Sequence, residues 1–77
     1  MLKMLDKIIE NRWYTKLVKE VNAFYADTYF IQKPFNRLTE NTAKDVLADI
    51  EYAIGIEMAN GYDVQKLQNL YNKIKML

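Results

Sequence analysis

The chain has 77 residues, with 11 Lys or Arg against 10 Asp or Glu and a formal net charge of +1. It contains no Cys, no His and no Ser, which removes disulfides, structural zinc and the usual nucleophilic triads and dyads. Hydrophobic residues make up 51%, enough apolar surface for a core in a chain too short for more than one domain.

Leu2, Leu5, Ile8 and Ile9 stand at helical spacing and predict a short helix near residues 2–10. Asn11-Arg12 is a weak break. Trp13, Leu17, Val18, Val21, Phe24, Tyr25 and Thr28 resume spacings of three and four and predict a longer helix near 13–30. This pattern leaves open whether residues 2–30 form one helix or two. The only proline, Pro34, ends the segment, because it disfavours helical geometry at Lys33 and has no amide proton to donate.

Thr39 reads as the N-cap of the next helix, with Glu40 favourable to the dipole in its first turn. Ala43, Val46, Leu47, Ile50, Ala53, Ile54 and Met58 give this helix the clearest amphipathic pattern in the chain. It is expected to stop at Asn60-Gly61, where Gly61 supplies a left-handed residue. Asp63 then caps a last helix, with Tyr62 and Leu67 placed for a hydrophobic staple. Val64, Leu67, Leu70, Tyr71, Ile74 and Leu77 form its apolar stripe. Thr28-Tyr29-Phe30-Ile31 is β-prone but reads more simply as the end of a helix. The expected fold is all-α, with residues 1–77 forming one domain, a compact bundle of about four helices.

The small net charge conceals a segregation. Residues 1–37 carry seven basic and four acidic side chains, a balance of +3. Residues 38–63 carry one Lys against six carboxylates, a balance of −5, and residues 64–77 add three Lys. Any partner meets this basic–acidic–basic order rather than the total.

Catalysis is not expected. Asp45 and Asp49 lie four apart on one helix face, and such a pair can do acid–base work or hold a cation in a cleft, but an acidic helix surface is the simpler reading. No glycine run is present to cradle phosphate and no calcium-loop pattern occurs, so neither cofactor nor metal is expected. Arg12, Lys16 and Lys19 fall at i, i+4 and i+7, a single basic stripe; Lys33 and Arg37 flank Pro34-Phe35, and Lys66, Lys73 and Lys75 lie on the last helix. If these patches converge they make a phosphate-binding surface for single-stranded or branched nucleic acid, with Tyr14 or Phe35 as stacking groups. The alternative is a solvated face of mixed charge, which Glu10 and Glu20 favour.

Phe24, Tyr25, Tyr29, Phe30 and Phe35 crowd into twelve residues. Trp13, Phe24 and Phe30 are expected in the core, while Tyr14, Tyr29 and Phe35 suit core and surface equally. Tyr52 and Ile56 lie off the main stripe of their helix. Central burial of that helix accounts for them, and a protein-binding surface shared with Asp45 and Asp49 is the competing account. Self-association into a homodimer stays open for a chain this small.

No segment approaches the ~18–20 apolar residues that span a bilayer. Met1-Leu2-Lys3-Met4-Leu5-Asp6 has charges where a signal peptide needs an apolar run, so a cytoplasmic location is expected.

The length, the short-connected helices and a last helix entered through Asn60-Gly61-Tyr62-Asp63 and running through Leu70-Tyr71 resemble the HRDC-type helical bundle of RecQ-class helicases. The outline is also similar to small companion proteins of phage recombination helicases, and to bacteriocin immunity proteins. The first two resemblances imply a non-catalytic accessory module for DNA recombination or replication, in the host cytoplasm if phage-encoded. The third implies a small modulator of one protein target. HRDC-type domains are more basic than this chain, whose middle segment departs from them.

Overall fold

The computed structural model describes residues 12–77. Among these residues there are three helices and no strand: α1 (Arg12–Tyr29), α2 (Glu40–Ala59) and α3 (Gln65–Lys75). The all-α class is as expected. The helix expected near residues 2–10 lies outside the described residues, as does the question of its continuity with α1.

α1 forms because Tyr14, Leu17, Val18, Val21, Phe24 and Tyr25 repeat at three and four and are all buried. α2 buries Ala43, Val46, Ile50 and Ala53 on one stripe, with Leu47 and Ile54 packed partly against it. α3 adds Leu70 and Ile74, and Leu77 closes the core beyond its end. Two aromatic pairs tighten the α1 side: Phe24 meets Tyr25 edge-on at 5.1 Å, and Phe35 meets Tyr25 edge-on at 5.6 Å.

The ends of α2 follow local rules. Thr39 caps it, its hydroxyl accepting from the Thr42 amide at 3.2 Å while the Thr39 amide donates to the Thr42 hydroxyl at 2.7 Å. At the other end the Tyr62 amide donates to the Glu57 carbonyl at 2.9 Å and Gly61 to Met58 at 3.0 Å, with Gly61 at φ +80. That is a Schellman closure, and only glycine adopts the turn without steric cost. α3 begins one residue later than expected. Asp63 still serves it, accepting from the Gln65 amide at 3.0 Å. The staple is a correction: Tyr62 is exposed and does not close over Leu67.

The connection from α1 to α2 decides the topology. Residues 30–39 turn back along α1 rather than across the molecule. Asn22 holds Phe35 by both backbone groups, its Nδ2 donating to the carbonyl at 2.9 Å and its Oδ1 accepting from the amide at 3.2 Å. Two turns earlier on α1, the Tyr14 hydroxyl donates to the Leu38 carbonyl at 3.0 Å and accepts from its amide at 2.6 Å. Leu38 itself is buried, a burial worth about 1.5–3 kcal/mol. α2 therefore starts beside the N-terminal half of α1 and runs parallel to it. Tyr25 of α1 donates to the Asp49 carboxylate, and Tyr29 donates to the Asp49 carbonyl at 3.1 Å. α3 returns antiparallel against both helices, with Lys73 on Glu20 at 3.1 Å and the Tyr71 hydroxyl on Glu51 at 3.2 Å.

Two core assignments are corrected. Trp13 is 41% exposed and Phe30 is 89% exposed, whereas Tyr14 is 2% exposed. Tyr14 takes the core place because its hydroxyl alone satisfies both buried backbone groups of Leu38.

Tyr14→Phe keeps the ring but leaves the Leu38 amide and carbonyl unpaired in a buried place. It is expected to lower the unfolding free energy by about 1–3 kcal/mol. Urea denaturation followed by circular dichroism reads this, and an unchanged midpoint would show that the hydroxyl does not hold the return segment. Burial first, then the hydrogen bond to Asp49, push the Tyr25 phenol well above its ordinary value of 10.0. Below that value the phenol is protonated in both states and its contribution is complete. Above it the unfolded chain loses the proton first, so stability falls as pH rises through the alkaline range. The urea midpoint is expected to drop above about pH 10, and Tyr25→Phe to reduce that drop.

Candidate functional site

The basic residues of α1 and of the return segment meet at one cleft. Lys19 comes from the exposed side of α1, and Lys33 and Arg37 from either side of the Asn22–Phe35 clamp. Thr15, Asn22 and Asn36 complete its polar wall, and Tyr14, Val18 and Phe35 its apolar floor. The cleft holds about 280 Å³, and among the described residues its lining contains three cations and no carboxylate.

The neighbouring acidic groups are held elsewhere. Glu20 turns toward α3, where its carboxylate takes both of its contacts from Lys73, at 3.1 and 3.4 Å. Glu40 pairs with Lys44 at 3.9 Å on the exposed surface of α2. Among the described residues, three positive groups thus line one cavity without a counter-ion in its wall, a site suited to an anion.

Backbone conformation singles out Lys33. It sits at φ +44, outside the regions open to an ordinary L residue, immediately before Pro34. Strain of this kind persists only where surrounding structure holds it, and here the Phe35 clamp two residues on does so.

The residues named from the sequence divide as follows. Lys19, Lys33, Arg37, Tyr14 and Phe35 line the cleft together. Arg12 and Lys16 are exposed on α1 and extend the positive charge toward its start without lining the cavity. Tyr14 is corrected as a stacking group: its ring is buried and its hydroxyl is committed to Leu38. Phe35 is half-buried with its ring against Tyr25. Lys73 and Lys75 do not join the cleft, since Lys73 binds Glu20 and Lys75 lies 5.5 Å over the Tyr71 ring. Thr15, Asn22 and Asn36 belong to the site and were not anticipated; their position follows from the loop's return along α1, for which no local pattern exists.

The acidic helix surface also divides. Asp45 is exposed, Tyr52 is 66% exposed and Ile56 is 45% exposed. The expectation that central burial covers Tyr52 and Ile56 is therefore corrected, because α3 packs on the Val46–Ile50–Ala53 stripe and leaves the opposite side of α2 open. One oxygen of the Asp49 carboxylate accepts from Tyr25 within the protein, and Asp49 is half-buried.

Among the described residues no group of three or more Asp, Glu, His or Cys is placed to hold a metal ion, and no helix is long and apolar enough to cross a membrane. No family model matches the chain, and neither a curated protein nor a solved structure matches it.

Proposed function

We propose that the chain is a non-catalytic accessory module that grips the phosphate backbone of nucleic acid, single-stranded or branched, in support of DNA recombination or replication machinery. The observation that supports this reading is the convergence of Lys19, Lys33 and Arg37 on one cleft with no carboxylate in its lining among the described residues. Phosphate contacts supply most of the affinity of such proteins and carry no sequence information. The Asn22–Phe35 clamp fixes the segment between Lys33 and Arg37 before any ligand arrives, which lowers the ordering cost of binding. Arg12 and Lys16 continue the contact along α1.

Three to five phosphate contacts predict a log–log salt slope of roughly −2 to −3.5 on single strands. Lys19→Ala is expected to flatten that slope by about 0.7. Lys33→Gly separates two effects. It relieves the left-handed strain, so stability is expected to hold or rise by up to about 1 kcal/mol, while affinity for the oligonucleotide falls. Fluorescence anisotropy with single-stranded, duplex and branched DNA at two salt concentrations reads the slope and the affinity, and urea denaturation reads the stability. Absence of binding at low salt to all three sinks the proposal.

The exposure of Tyr52 and Ile56 favours a second reading, a small modulator of one protein target bound through the outer side of α2. Here Tyr52→Ala with Ile56→Ala is expected to abolish nuclease-resistant capture of a partner from source-cell lysate while leaving the helical signal intact. Capture that survives both changes rules this surface out.

A further inference from the structure

The face of α1 that carries the basic cleft continues past it. Thr15, Lys19 and Asn22 line the cleft, and Ala26 follows one turn later. Their spacings of four, three and four put all of them on one side of the helix. Beyond Asn22 and Lys33 a second hollow opens between that side of α1 and the return segment. It holds about 500 Å³ and is lined by Asn22, Ala23, Ala26, Gln32 and Lys33. Asn22 and Lys33 line both spaces, so the two form one groove along α1.

The two halves of the groove differ in chemistry. Lys19, Lys33 and Arg37 make the first half cationic. The second half is made of two alanines, two side-chain amides and the shared Lys33, and among the described residues no carboxylate lines it. Gln32 is exposed, and its amide offers donors and an acceptor. Asn22 spends its carbonyl oxygen and one amide hydrogen on Phe35, and its Nδ2 carries a second hydrogen. The alanines leave the space open and apolar. A flat ring with donors and acceptors along its edge matches such a lining, as the amides of Asn and Gln match base edges elsewhere.

We propose that the second hollow takes an unpaired base of the same strand whose phosphate lies in the basic cleft, an assignment that rests on the phosphate-binding reading of that cleft. The ligand is then single-stranded nucleic acid, or the single-stranded arm of a branched one, and Gln32 and Asn22 meet the edge of the base. Continuity with the cleft commits the hollow to this occupant. A strand held by its phosphate at Lys33 carries a base on the adjoining sugar, and the adjoining space is the one with the amides. In a duplex the same base is stacked on its neighbours and paired along its edge, and bringing it into a pocket costs that pairing and stacking. Duplex therefore meets the cations and leaves the hollow empty.

The test compares three probes on the full chain at one low salt concentration: an oligothymidylate, an abasic strand of the same length with the same phosphates, and a duplex. The wild-type chain is expected to bind the oligothymidylate about fivefold more tightly than the abasic strand, the worth of one hydrogen-bonded base. Ala26→Leu fills the hollow with a good helix former and touches no cation. It is expected to bring the oligothymidylate down to the affinity of the abasic strand while leaving the abasic strand and the duplex unchanged. Gln32→Ala, in an exposed position outside the helices, is expected to remove part of the preference with helix content unchanged, and it keeps the test open if Ala26→Leu does not fold. Failure of all three probes to bind overturns the phosphate reading and this assignment together. An abasic strand bound as tightly as the oligothymidylate, or a preference that survives both substitutions, overturns this assignment alone and leaves the cationic cleft standing.

Discussion

The phenol of Tyr14 determines more of this structure than any other single group. Placed third in α1's described length, it is buried and satisfies the amide and the carbonyl of Leu38 at once. Residues 30–39 form no secondary structure of their own, and Tyr14 fixes the end of that segment on α1. With it, Leu38 enters the core, Thr39 arrives where it can cap α2, and α2 must run parallel to α1. Parallel neighbours need a long connection, and that connection carries two of the three cations of the basic cleft. Asn22 repeats the device at Phe35, so two α1 side chains substitute for the backbone pairing that a strand would provide.

The energetic balance of that connection is uneven. Leu38 and Phe35 contribute burial, but Phe30 and Lys33 occupy left-handed conformations that disfavour their residue types, and Phe30 gives up its burial as well. Local rules would place glycine or asparagine at both positions. A sequence that departs from local preference at two exposed sites, one aromatic and one cationic, directs attention to what those side chains meet outside the chain.

Folding also redistributes the charge that the sequence lays out in blocks. The acidic middle segment does not form one negative face. Tyr25 takes the carboxylate of Asp49, Tyr71 takes Glu51, Lys44 takes Glu40, and Glu57 and Asp63 turn to the groove between α1 and α3. The basic blocks are divided as well, since Lys73 neutralises Glu20 while Lys19, Lys33 and Arg37 gather at the cleft. Tyrosine hydroxyls share this work with lysines: Tyr25 and Tyr71 take Asp49 and Glu51, Lys44 and Lys73 take Glu40 and Glu20.

What could be read from residue order was whatever depends on near neighbours. The apolar periods of α1, α2 and α3, the Thr39 cap, the Gly61 closure and the Asp63 contact all involve residues within about five positions, where helix geometry dictates which side chains and amides meet. So the all-α class and the helix ends were legible to within a residue or two, and the basic residues of the cleft could be named. Their convergence could not. It depends on Tyr14 reaching Leu38 across 24 positions and Asn22 reaching Phe35 across 13, contacts that leave no periodic trace. The same reason explains the exchange of Trp13 and Phe30 for Tyr14 in the core. Hydrophobicity places Trp13 and Phe30 in the core and leaves Tyr14 undecided, and only the tertiary structure supplies the buried backbone groups that make a hydroxyl at position 14 useful inside.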